Sequence, residues 1–167
     1  MKTYQDSQLP LSFTTPVGHT KSTRSVTPSM TSAKSPQRLL VVEDDVALSF
    51  LVERLALNIN PEIKVDWVTS AEQAVPLLKA KNGQCKYDLI FADIFLDGER
   101  SGLDLWSFCQ EEFPWVPVVV TSAMPMDRFF STIGPNSVSP TYLPKPFLPR
   151  ECFQVLKGML NESIPPP

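Results

Sequence analysis

Two stretches of this chain are apolar at every position, Leu39-Leu40-Val41-Val42 and Val118-Val119-Val120, and a third, Leu89-Ile90-Phe91-Ala92, lies between them. A strand with one wet face alternates polar and apolar residues. A run without alternation has to be covered on both faces, as in a parallel sheet with helices on each side. Each run is followed at once by side chains carrying oxygen: Glu43-Asp44, Asp93 and Thr121-Ser122.

The intervening segments supply the covering helices. Leu48, Leu51, Val52, Leu55 and Ala56 recur at helical spacing within Val46 to Asn58, and Asn60-Pro61 closes that segment. Ile63 to Val68 reads as a second strand. Ser70 with Gln73 resembles a capping box opening a helix over 71–82, with Pro76 inside it. Tyr87 to Phe95 is the third strand. Gly102 to Phe113 is a helix that turns Leu103, Leu105, Trp106, Phe108 and Cys109 inward or nearly so. Pro117 to Thr121 is the fourth strand, Asp127 to Ile133 a short helix, Thr141 to Leu143 the fifth strand, and Pro149 to Leu160 the last helix. Five apolar strands alternating with helices predict an α/β domain with a doubly wound, five-stranded parallel sheet.

Residues 1–37 differ from the rest. They contain fourteen Ser/Thr, four Pro and no apolar periodicity, so burial there cannot offset the entropy of ordering. The expected organisation is a disordered tail over 1–37, a domain over 38–163 and a frayed end over 164–167. The tail carries a net +3 and the remainder a net −6, and an acidic body argues against direct nucleic-acid binding. No apolar run is long enough to span a bilayer, and the N-terminus lacks the apolar core of a signal peptide. Cys85, Cys109 and Cys152 are odd in number and lack metal-type spacing, which fits reduced thiols in a cytoplasmic protein. His19 lies in the tail. The domain therefore has no histidine for a zinc site, a triad or a phosphohistidine.

Right-handed crossovers bring the carboxyl ends of parallel strands to one edge, where Glu43, Asp44 and Asp93 would share a pocket. Three carboxylates at short range repel, so either a pKa rises or a cation sits among them. All-oxygen ligands suit a hard ion, and Mg²⁺ fits best because it keeps waters that a phosphate can replace. Lys145, after the fifth strand, adds a positive group. A carboxylate, a divalent ion, a lysine and a strand-end hydroxyl can together receive a phosphoryl group. A plainer reading stands beside this one: acids after a strand often serve only as the cap and first turn of the next helix.

Leu-Leu-Val-Val-Glu-Asp-Asp, Asp-Leu-Ile-Phe-Ala-Asp, Val-Val-Val-Thr-Ser-Ala and Tyr-Leu-Pro-Lys-Pro-Phe resemble, in order and spacing, the motifs of the receiver domain of two-component response regulators. The likeness covers roughly residues 37–163. It implies a flavodoxin-like (βα)5 fold and a phosphoacceptor at Asp93, with Lys145 and Ser122 as its catalytic partners. It also implies Mg²⁺ held by Asp44, Asp93 and the backbone carbonyl of Phe95, with Glu43 acting through water. Ser122 matches the family hydroxyl better than Thr121, because the small Ala123 follows it. Ser122 and Tyr142 would form the switch, and Lys145-Pro146 would be cis. The implied donor is a sensor histidine kinase or a histidine phosphotransfer protein, and the output a downstream protein target. A homodimer through the face of the last two helices is one further arrangement the family implies. Such a protein is no enzyme beyond its own phosphorylation and dephosphorylation. It inserts in no membrane.

The chain departs from the family in two places. Asp97 stands where a proline is common, in a loop one residue longer than usual. Asp97 and Glu99 add negative charge that Arg100 only partly offsets, which predicts altered Mg²⁺ affinity or phosphoryl lifetime. Residues 134–140 carry two prolines in place of a small Gly-Ala segment and predict a short or distorted fourth helix. Phe129 and Phe130 are either an exposed partner patch or one buried ring and one incidental one. Nothing long enough for an output domain follows Leu160, so a single-domain regulator is the leading expectation, with a degenerate, phosphorylation-independent binding module as the alternative. A phosphatase of the haloacid-dehalogenase type would need a second Asp two residues after Asp93, where Phe95 stands.

Overall fold

The structure, a computed structural model, describes residues 37–79, 84–133 and 139–161. The expected tail, the end beyond Asn161 and most of the 134–140 segment lie outside them. Five strands, β1 (Arg38–Val42), β2 (Lys64–Val68), β3 (Leu89–Asp93), β4 (Val118–Ser122) and β5 (Thr141–Pro144), form one sheet in the order β2-β1-β3-β4-β5. Every pairing is parallel. The helices are α1 (Val46–Ile59), α2 (Ala71–Leu78), α3 (Gly102–Glu112), α4 (Met126–Ile133) and α5 (Pro149–Asn161). This is the doubly wound five-stranded fold expected from the sequence.

The unbroken apolar runs are explained by cover on both faces. Leu40, Val42, Ile90, Ala92 and Val120 point to one core with α2, α3 and α4, where Leu78, Leu105, Cys109 and Phe129 meet them. Leu39, Val41, Leu89, Phe91 and Val119 point to the other core, filled by Val52 and Ala56 of α1 and Leu156 and Leu160 of α5. All five residues of β3 and of β4 are buried, because these strands are not at an edge. β2 is an edge strand and partly exposed, which is why polar Lys64 and Asp66 interrupt its apolar residues. Each fully buried leucine contributes roughly 1.5–3 kcal/mol over an exposed one.

Several boundaries move for physical reasons. The third strand is shorter than Tyr87 to Phe95. Tyr87 precedes it and is buried, its hydroxyl donating to Asp66 at 2.7 Å. α2 ends at Leu78, two residues beyond Pro76, rather than running to 82. Pro76 forfeits a hydrogen bond to the preceding turn but does not itself end the helix, since Lys79 still donates to the Val75 carbonyl at 3.1 Å. Its cap is half the expected box: Ser70 accepts from the Gln73 N–H, but the Gln73 carboxamide oxygen accepts from Thr69 rather than Ser70. α3 has a complete box, Ser101 with Asp104.

Candidate functional site

The carboxyl ends of β1, β3, β4 and β5 meet at one edge, each delivering one part of the site. β1 ends at Val42, and the chain turns through Glu43-Asp44-Asp45 into α1. Asp45 caps that helix, its carboxylate accepting from Ala47 at 2.8 Å and Leu48 at 3.3 Å. The capping function therefore falls on Asp45. Glu43 and Asp44 are not consumed by it. Glu43 is fully buried and Asp44 is exposed. The backbone of Glu43 is held on both sides: its N–H donates to Val68 at 3.0 Å, and its carbonyl accepts the Trp67 indole N–H at 2.6 Å.

Asp93 closes β3 and is 6% exposed. The Lys145 ammonium, arriving from the end of β5, lies 2.6 Å from its Oδ2 and 3.0 Å from Glu43 Oε2. Oxygens of Glu43, Asp44 and Asp93 all come within 4.8 Å of one another. Burial pushes the Glu43 carboxyl up to about 7, against the pull of its bonds to Lys145 and with added repulsion from Asp93. Burial alone would lower the Lys145 ammonium, but its bonds to Asp93 and Glu43 outweigh that and raise it. One lysine shared by two buried acids does not neutralise the cluster. An all-oxygen set with one member open to water fits a hard divalent cation that keeps part of its hydration shell.

The hydroxyls at the end of β4 are divided. Thr121 donates to the Leu143 carbonyl at 2.8 Å, which ties β4 to β5. Ser122, fully buried, accepts from the Met124 N–H at 3.1 Å through Oγ. Tyr142 donates to the carbonyls of Met124 and, at 3.2 Å, Ser122. Its ring stacks on Phe129 at 4.0 Å between centroids. Of this pair Phe129 is thus fully buried and Phe130 exposed, which selects the reading of one buried ring and one incidental one over the two-ring patch. Lys145-Pro146 is cis.

Phe95 donates its N–H to Asp93 Oδ1 at 3.3 Å, holding the loop after β3 against the carboxylate. At the far end of that loop, Gly102 donates to the Ile94 carbonyl at 2.9 Å. A Cβ at Gly102 would lie 1.9 Å from the Asp93 carbonyl oxygen, so only glycine lets α3 start so close to the end of β3. Sequence reasoning passed over Gly102 and Trp67. Gly102 carried a signal, being the first residue of a helix immediately after the unusual loop. Trp67 is recognisable only in three dimensions.

A family model, response regulator receiver domain, matches residues 39–157. The uncharacterized transcriptional regulatory protein YbdJ of Bacillus subtilis (strain 168) is 28% identical over 124 residues, which is 74% of this chain and 51% of that protein. The chain thus spans about half the length of this curated relative. A response regulator receiver protein from Sinorhizobium medicae WSM419 superposes with a TM-score of 0.63 at 22% identity, over 78% of this chain and 98% of the other. The receiver domain of the sensor histidine kinase PA1611 from Pseudomonas aeruginosa PAO1, solved with a magnesium ion in its active-site cleft, superposes with a TM-score of 0.58 at 23% identity, over 77% of this chain and all of that domain. At these identities the superpositions speak to the fold.

Proposed function

The chain belongs to the response regulator receiver domain family, and on that premise we propose that Asp93 accepts a phosphoryl group from a phosphohistidine of a sensor kinase or histidine phosphotransfer protein. The observation that carries this reading is Lys145 Nζ, 2.6 Å from Asp93 and 3.0 Å from Glu43, in a pocket where three carboxylates converge. An Asp93 carboxylate oxygen forms the new P–O bond while the P–N bond to the donor imidazole breaks and its electron pair returns to the ring nitrogen. Lys145 neutralises a phosphoryl oxygen as its bond to Asp93 loosens. The Ser122 O–H donates to another, since Oγ already takes the Met124 N–H as acceptor.

Asp44, Asp93 and the Phe95 carbonyl would hold Mg²⁺, with Glu43 engaged through water once Lys145 turns toward the phosphoryl group. The ion supplies charge neutralisation and orientation of the phosphoryl oxygens. A magnesium ion in the cleft of the PA1611 receiver domain supports this assignment. Exposed Val46, Phe50, Phe95 and Leu148 follow the acidic turn, the acceptor and the lysine, and give a donor protein an apolar rim to cover.

Output would pass through protein contacts. Tyr142 bonds to the Ser122 carbonyl and stacks on Phe129, so a change at Ser122 reaches α4, where Met126 and Phe130 are exposed. Incubation with acetyl phosphate and Mg²⁺, followed by intact-mass measurement, tests the acceptor. The wild type should gain one phosphoryl group and Asp93→Asn none. An Asp93→Asn protein that still gains it removes the assignment. Beryllofluoride with Mg²⁺ should shift the amide resonances of Asp93 and Tyr142 together.

A further inference from the structure

The loop after the acceptor, residues 94–101, carries Asp97 and Glu99, and yet a further carboxylate from another element is lodged in it. Glu72, in the first turn of α2, accepts through Oε1 from the backbone N–H of Glu99 at 3.2 Å and of Arg100 at 2.9 Å. Two successive N–H groups aimed at one oxygen form a small anion-binding concavity. Gly98 makes the concavity possible. Its φ is +110°, a conformation that side chains rarely adopt, and a Cβ there would lie 2.5 Å from Glu72 Oε2. The Glu72 carboxyl is held below its ordinary value, first by its own backbone N–H, against the opposing effect of burial, and then by the Arg100 and Glu99 N–H groups and the Ser70 hydroxyl.

The two ends of the same loop are tied to the sheet edge, one to β4 and both to the end of β3. Ile94 donates to Thr121 at 3.0 Å, Phe95 to Asp93 Oδ1 at 3.3 Å, and Gly102 to Ile94 at 2.9 Å. Glu72 holds the part between. We propose that Glu72 is a positioning residue for the acceptor site: from α2 it pins the Gly98–Arg100 turn, and so fixes the backbone that presents the Phe95 carbonyl beside Asp93. This inference rests on the Mg²⁺ reading above and goes beyond it, because no feature of the acidic trio itself calls for a carboxylate on α2.

The test compares the full chain with Glu72→Ala and Glu72→Gln. Amide hydrogen exchange at Glu99 and Arg100 reads the clamp directly, without any ion. Mg²⁺ titration, followed by the amide shifts of Asp93 and Phe95, reads its effect on the site. Glu72→Ala should speed exchange at those two amides and weaken Mg²⁺ binding by about tenfold, in the range found when a group orienting a metal ligand is removed. Glu72→Gln keeps an oxygen acceptor and should recover most of both. A merely structural role would lower the melting temperature of Glu72→Ala and leave the Mg²⁺ dissociation constant within about twofold of wild type, which sinks the proposal while the acceptor reading stands. Unchanged exchange at Glu99 and Arg100 sinks it as well. A wild type whose amides do not respond to Mg²⁺ at all removes the metal reading and this inference together.

Discussion

Replacing Gly102 by alanine sets two physical effects against each other, and the structure decides the sign. Gly102 is the first residue of α3, where alanine has the higher helix propensity by up to ~1 kcal/mol. On propensity alone the substitution stabilises. But the added Cβ would lie 1.9 Å from the Asp93 carbonyl oxygen, 2.8 Å from its carbonyl carbon and 3.1 Å from Ile94 Cα. All three are backbone atoms, which cannot rotate away as a side chain would. Reaching ordinary contact at 3.4 Å requires the helix start and the strand end to part by about 1.5 Å. That motion stretches the Gly102-to-Ile94 hydrogen bond, now 2.9 Å. Overpacking of this kind costs typically 1–3 kcal/mol, and the rigidity of the opposing backbone puts this case near the upper end. Net of propensity, Gly102→Ala should destabilise by about 2 kcal/mol, or lower the melting temperature by roughly 7 °C in a domain of this size. Urea unfolding and a thermal melt at pH 7 measure it, and amide shift changes should centre on Asp93 and Ile94. A melting temperature equal to or above that of the wild type would refute the steric argument and show that the α3 start has room to move.

Other consequences are as concrete. Lys145→Met leaves Glu43 and Asp93 buried without their shared cation, so it should cost about 3 kcal/mol at pH 7 by urea unfolding and abolish phosphoryl uptake from acetyl phosphate. Tyr142→Phe keeps the stack on Phe129 but loses the hydroxyl bonds to Met124 and Ser122; a loss of about 1 kcal/mol with an unchanged urea m-value is expected. Asp66 is held down to about 2; burial raises it, but the Tyr87 hydroxyl, Arg38 and Lys86 together outweigh that. A depressed carboxyl stabilises above its unfolded value of 3.8 and loses that contribution as pH falls through about 2. Asp66→Asn should therefore cost about 1 kcal/mol at pH 7, after allowing for solvent screening of a partly exposed group, and the gap from wild type should shrink as pH falls from 3.8 and close only below about 2.

The fold was legible because its determinants are local and periodic. Unbroken apolar runs at 39–42 and 118–120 meant strands covered on both faces, and the helices between them announced themselves through spacing and caps. The candidate site was legible for a related reason: at a parallel-sheet edge, a residue's place at a strand end largely decides where it points. Boundaries were less so. α2 ends at Leu78 although its sequence pattern runs on, and the third strand begins only after Tyr87, whose hydroxyl belongs to Asp66. Phe129 and Phe130 could not be told apart by sequence, since only the stack on Tyr142 shows which ring is inside.

By itself the sequence determined the parallel α/β architecture and the set of residues gathered at one edge of the sheet: Glu43, Asp44, Asp93, Ser122 and Lys145. Tertiary structure alone decided how those residues share the work. It assigned the helix cap to Asp45, joined Lys145 to both Glu43 and Asp93, turned Thr121 toward β5 and bonded the loop after β3 to Glu72. The reason is one of range. Propensity and periodicity act over a few residues, whereas the partner of a buried charge is set by strand register and helix placement, and here that partner lies up to 102 positions away in the chain.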